Sequence, residues 1–174
     1  GKDYLLRLVD QVRSSLPGAA IRTTFIVGFP SETDQEFREL ADFVKEARFE
    51  RLGVFIYSRE EGTPAAAMPE QVPEKIKRSR FDELMSLQQG ISAENNRAML
   101  GKELDVLVEE EAALPEGEDS PHPAYVYSGR SEYDAPEVDG MVYVKTRRPV
   151  KPGSMVRVRV DGALEYDLTG EALL

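Results

Sequence analysis

Ligand chemistry in this chain concentrates at one joint. Arg22-Thr23-Thr24-Phe25-Ile26-Val27-Gly28-Phe29-Pro30-Ser31-Glu32-Thr33 runs from an apolar, β-branched segment through a Gly/Pro turn into a helix start. Gly28 has no side chain and lets a ligand approach the backbone, and the free amides of the following helix carry partial positive charge. A nucleoside or a carboxylate suits such a site. An ordinary strand-to-helix turn, in which Gly28 only relieves crowding, has the same local sequence. A second polar group, Arg59-Glu60-Glu61-Gly62-Thr63, follows the next apolar segment. Its charges suit either orientation of a ligand or a solvated, salt-bridged turn.

Composition narrows the alternatives. There is no cysteine, which excludes disulfides and thiolate-held metal sites, and the single histidine, His122, leaves no set for a zinc site or a Ser-His-Asp triad. His122 sits in a Pro-rich acidic loop and reads as a solvated residue. No run of about 18 apolar residues is present for a membrane span, and no basic-then-apolar leader opens the chain, so no membrane partner and a cytoplasmic setting are expected. Gly1 leads directly into a helical pattern without an initiator Met, as expected of a piece of a longer protein.

The joint is positioned by readable elements. Leu5, Leu8, Val9 and Val12 predict an amphipathic helix over 3–15, ended by Leu16-Pro17-Gly18. Residues 21–29 predict a strand covered on both faces. Thr33-Asp34-Gln35-Glu36 is a capping box, and Phe37, Leu40, Ala41 and Val44 carry a helix to about Ala47. LGVFIY, 52–57, is a second buried strand, which makes a right-handed βαβ unit with parallel strands. Residues 58–72 read as irregular. Pro73 opens a long helix on which Ile76, Arg80, Leu84, Leu87 and Ile91 share one face as far as Leu100, with Gly101 as its stop and a domain on either side.

From Lys102 onward the apolar period becomes two. Strands are predicted at 104–108, 124–128, 141–146, 156–160 and 164–168, enough for a small closed OB-like barrel, with a polar, mobile loop over 110–123. The net charge of −10 is uneven: residues 1–100 hold 14 basic and 16 acidic side chains, residues 101–174 hold 8 and 16. An acidic C-terminal part disfavours phosphate backbones and favours basic partners. Lys145, Arg147 and Arg148 form its local basic cluster and read as a solvated strand end, with RNA contact as the minor alternative.

IRTTFIVGFPSETDQEFRELADFV resembles the fifth barrel strand and its helix in the radical S-adenosylmethionine (SAM) methylthiotransferases. FIYSREEGTPAAAM resembles their sixth strand and exit loop, Gln88–Leu100 their connecting helix, and the C-terminal barrel a TRAM domain, so the resemblance covers nearly the whole chain. It implies an α/β fold: the end of a partial TIM-type barrel over 1–72, a connecting helix over 73–101 and a five-stranded antiparallel TRAM barrel over 102–174. Gly129–Gly140, with its Asp-Ala-Pro-Glu-x-Asp-Gly core, resembles the branch that methylthiolates an aspartate of small-subunit ribosomal protein S-twelve. The same residues also read as an acidic turn shaped by Pro136 and Gly140. A tRNA-modifying branch and a non-catalytic TRAM adaptor for RNA or protein are the alternatives.

For the intact enzyme the resemblance implies SAM and two 4Fe-4S clusters, one on a CxxxCxxC loop and one on three further cysteines. SAM cleavage would give a 5′-deoxyadenosyl radical that removes hydrogen from the aspartate β-carbon, and a second SAM would methylate the sulfur delivered there. None of the six cysteines is here, so this segment alone is expected to bind no cluster and to be inactive. Its implied share is the wall of the SAM pocket: Phe25, Ile26, Val27 and Gly28 against adenine, and Tyr57, Ser58 and Arg59 at the base edge. Asp134, Glu137 and Asp139 are the implied docking residues for the ribosomal protein or the ribosomal subunit. Ser31 stands where relatives usually have Gly, and Glu32 lies one position late for the GxIxGxxE pattern of the strand. Gly28→Val is expected to block adenine without unfolding the strand.

Overall fold

The structure is a computed structural model that describes residues 1–117, 125–136 and 138–174. His122 and Glu137, and residues 118–123 of the loop expected to be mobile, lie outside the described residues. Two compact units, Gly1–Ile91 and Ser92–Leu174, divide within a helix.

The first unit contains α1 (Lys2–Ser15), β1 (Arg22–Val27), α2 (Asp34–Ala47), β2 (Arg51–Ile56), α3 (Pro64–Ala67) and the start of α4 (Glu74–Arg97). β1 and β2 are parallel, in register from Arg22 opposite Arg51 to Val27 opposite Ile56, and α2 supplies the crossover. The capping box forms as the sequence requires: Thr33 Oγ1 accepts the Glu36 amide, and Glu36 Oε2 accepts the Thr33 amide at 2.8 Å. Val27, Val54, Phe37, Ala41, Val44, Leu84 and Ile91 form the core between this sheet and helices α2 and α4. A second cluster, Val9, Phe43, Ala47 and Phe49, seats α1 on α2, with the Phe25 ring edge-on to Phe43 at 6.2 Å.

Three expectations for this unit change. The strands are covered on one face only, because alternate side chains point to opposite sides of a sheet and the helices cover one of them. Ile26 is 56% exposed and Phe55, directly opposite it, 63% exposed. On α4 the covered face is Lys77, Arg80, Leu84, Gln88 and Ile91, while Ile76 is exposed. The irregular segment contains the short helix α3, capped by Thr63 Oγ1, which accepts the Ala66 amide.

The second unit is a closed barrel of β3 (Glu103–Glu111), β4 (Tyr125–Ser131), β5 (Val142–Thr146), β6 (Met155–Ala163) and β7 (Leu168–Ala172), in the order β3-β4-β5-β7-β6. Val106, Val108, Val144, Val158 and Val160 fill it from alternate positions. The barrel is mixed rather than wholly antiparallel: β5 and β7 are parallel. An odd number of strands cannot alternate in direction around a closed ring, so one parallel pair is required. The last strand lies later than predicted, at Leu168–Ala172, because residues 164–167 make a turn in which the Leu164 amide donates to the Asp167 carbonyl. β3 continues through Glu110 and Glu111 rather than ending before them.

Candidate functional site

The carboxyl ends of β1 and β2 form a rim held from α4. Arg80, 5% exposed, donates to Glu32 Oε1 at 2.7 Å, to the Glu32 carbonyl at 3.1 Å and to Asp34 Oδ1 at 2.7 Å. Glu32 Oε1 also accepts the Gly28 amide at 3.0 Å. One turn earlier on α4, Lys77 lies with its stem against Gly28 and its ammonium donating to the Tyr57 carbonyl at 3.1 Å and to Glu74 Oε1 at 2.6 Å. The same ammonium lies 5.2 Å from the centre of the Tyr57 ring, and Phe29 meets that ring at 5.2 Å. The periodicity places Arg80 on this face but not Lys77; the signal for both is an i, i+3 pair of basic residues facing the polar end of a sheet.

This rim sorts the seven pocket residues. Ile26 presents its side chain on the uncovered face, joined by Phe55, which the sequence argument passed over although it is in register with Ile26. The side chains of Phe25 and Val27 point into the chain's own core. The Gly28 amide is engaged by Glu32, and a Cβ at this position, where φ is +74°, would run into the Lys77 stem. Gly28→Val is therefore not a clean test of a ligand, since it strains the turn in any case. The Tyr57 carbonyl already accepts from Lys77, and its hydroxyl is buried without a protein partner. Ser58 donates to Glu60 Oε1 at 2.7 Å. Arg59 turns towards α3, with Nε donating to the Ala66 carbonyl at 2.9 Å, and lines an open cavity of about 720 Å³ with Glu61, Gly62, Thr63 and one side of α3. No residue of β1 lines that cavity.

An apolar pair at the carboxyl ends of two parallel strands fits one wall of an adenine site. The backbone groups of Gly28 and Tyr57 fit less well, being already engaged. For an iron-sulfur cluster the chain has no thiolate, and among the described residues no three His, Cys, Asp or Glu side chains are placed to hold a metal ion.

In the barrel, the Asp134 carboxylate turns inward, 9% exposed, and accepts the Ser131 amide at 3.1 Å and hydroxyl at 2.6 Å. Asp139 Oδ2 accepts the Ala135 amide at 2.8 Å. Both carboxylates thus close the turn, and Gly140 lets it press against the Tyr166 backbone. Lys145 is not a solvated strand end: it is buried, 2.8 Å from Asp161 Oδ2. Arg157 and Arg159 pair across to Glu103 and Asp105, and the two guanidiniums, Arg159 foremost, hold the Glu103 carboxyl below its ordinary range. Arg147, Arg148 and Lys151 remain exposed. Among the described residues no helix is long and apolar enough to cross a membrane.

Comparison with known proteins agrees with this layout. The family model for the TRAM domain matches residues 100–173. Over 164 residues the chain is 49% identical to Ribosomal protein uS12 methylthiotransferase RimO of Desulforamulus reducens, a match covering 94% of this chain and 35% of that protein. Proteins of the same name from Pelotomaculum thermopropionicum and Clostridioides difficile are 49% and 45% identical, each over 99% of this chain and over 37% and 36% of their own lengths. The chain spans little more than a third of the curated relatives it matches. Residues 100–173 thus match a TRAM domain, and nearly the whole chain is similar to about a third of the length of these methylthiotransferases.

Proposed function

We propose that this chain is part of a radical SAM methylthiotransferase that places a methylthio group on the β-carbon of an aspartate in ribosomal protein S-twelve. The observation that carries the reading is identity of 45% to 49%, over 94% to 99% of the chain, with relatives named for that protein. The parallel β1–β2 pair supports it, since its uncovered apolar face suits a larger barrel. In this reading residues 1–72 end that barrel, 73–101 connect, and 102–174 dock the substrate in the cytoplasm.

Ile26 and Phe55 form the wall against adenine, with Gly28, Tyr57 and Ser58 shaping its rim and Phe25 and Val27 supporting it from behind. SAM, when bound, supplies the 5′-deoxyadenosyl radical and the methyl group. The cysteines that would hold the clusters are not in this chain. Lys77 and Arg80 keep the rim fixed, so the wall needs no rearrangement to receive the base. Acidic residues around the 131–140 turn favour a basic ribosomal protein; Asp134 and Asp139 shape that turn, so Glu132 and Glu165, both exposed, are the better charges to vary.

The exposed Arg147, Arg148 and Lys151 favour a second reading, tRNA as the substrate. Titrating the chain with purified S-twelve and with tRNA across salt separates the two. Saturable S-twelve binding, weakened by Glu132→Gln with Glu165→Gln, agrees with the first; tight tRNA binding with a steep salt dependence sets it aside.

A further inference from the structure

The cavity beside α3 holds a cation that no carboxylate among the described residues pairs with. Arg59 is exposed, its single hydrogen bond runs from Nε to the Ala66 carbonyl, and among the described residues no carboxylate pairs with it. That bond uses one of five guanidinium N–H groups and fixes the plane of the rest, leaving a fork already oriented for a planar anion. The Thr63 hydroxyl is committed to the Glu60 carbonyl, and the Glu60 carboxylate to Ser58, so neither competes for the fork. Glu61 lines the same cavity, among the described residues no cation pairs with it, and the cavity therefore carries one charge of each sign.

Its volume, about 720 Å³, is that of a small-ligand site, yet it is open to solvent and suits a side chain presented on a loop. It also sits immediately after β2, at the end of the strands where a barrel places its chemistry. Resting on the function proposed above, we propose that Arg59 binds the side-chain carboxylate of the target aspartate, with Glu61 receiving a basic residue next to it in the target loop. Removing hydrogen from a carbon adjacent to a carboxylate requires that carboxylate to be held in one orientation, which a two-pronged guanidinium contact provides. A lone positive site would not discriminate a target aspartate from any other anion; the added negative charge favours an aspartate within a Lys- and Arg-rich segment.

The test follows the Arg59 side-chain Nε–H signal in the labelled chain by NMR. The probes are a synthetic Lys/Arg-rich peptide with one central Asp, the same peptide with Asn, and SAM. The Asp peptide is expected to shift the signal saturably, with the Asn peptide weaker by about tenfold; followed at backbone amides of residues 59–67, the Arg59→Lys variant binds the Asp peptide about tenfold more weakly, and Glu61→Gln weakens both peptides alike. Unchanged backbone amide spectra show that the variants remain folded. A shift caused by SAM instead of the Asp peptide overturns the assignment, as does peptide binding that leaves Arg59 unmoved. Binding of tRNA with no binding of S-twelve or either peptide overturns the ribosomal-protein reading itself.

Discussion

Glu32 and Arg80 share a carboxylate oxygen with the Gly28 amide: Oε1 of Glu32 lies 2.7 Å from the guanidinium and 3.0 Å from the amide nitrogen. Helix α4 is thereby tied to the end of β1 by a largely buried ion pair. Removing one partner leaves the other charge buried and unpaired, so Arg80→Ala should destabilise the first unit by about 3 kcal/mol. Asp34, whose side chain is 77% exposed, also contacts Arg80, but Asp34→Ala should cost less than about 1 kcal/mol. Urea unfolding followed at amides of the first unit measures both; equal losses would remove Glu32 as the anchor.

Ser31 occupies the left-handed region at φ +71°, where its side chain is strained and where glycine is at ease. Its amide donates to the Glu70 carbonyl at 3.0 Å, so the conformation is fixed by the fold. Ser31→Gly should leave the structure unchanged and raise stability by a few tenths to about 1 kcal/mol, net of the added freedom of the unfolded chain. A lower urea midpoint in the variant contradicts this.

The start of α2 should be sensitive to acid. The Thr33 amide, and secondarily its hydroxyl, hold the Glu36 carboxyl below its ordinary range. A carboxyl depressed in the folded state adds stability above its unfolded pKa of about 4.3, and that stability is lost as pH falls through the lower folded value. Wild type should therefore be more stable than Glu36→Gln at neutral pH, with the difference closing below about pH 4. A gap that persists in strong acid would contradict the capping role.

Adjacent residues of β2 should behave in opposite ways. Val54 is buried in the core and Phe55 faces the uncovered side. Val54→Ala should cost about 2 kcal/mol through the cavity it leaves, whereas Phe55→Ser should stay within about 0.5 kcal/mol. A large loss at Phe55 would mean that this face is covered in solution.

What was legible follows from how locally each feature is determined. The capping box and the parallel βαβ unit depend on neighbouring residues and on connection length, and both form. The uncovered face of β1 was not legible, because Ile26 is as apolar as Val27 and only its missing neighbours expose it. Arg80 falls on the predicted face of α4 but its partners on α2 and the preceding turn were not legible, and Lys77 was missed as a buried group, because polar side chains read as surface until a carbonyl or carboxylate of another element receives them. Lys145 was misplaced for the same reason: its partner, Asp161, lies on a different strand. The parallel β5–β7 pair is a closure property of the whole ring, which no single strand encodes.

The most direct measurement is the mass of ribosomal protein S-twelve, beside the nucleoside composition of tRNA, from cells in which the gene carrying this chain is disrupted. The account predicts that S-twelve loses a methylthio increment from one aspartate-containing peptide while tRNA nucleosides are unchanged. An S-twelve of unaltered mass together with loss of a methylthiolated adenosine would contradict it.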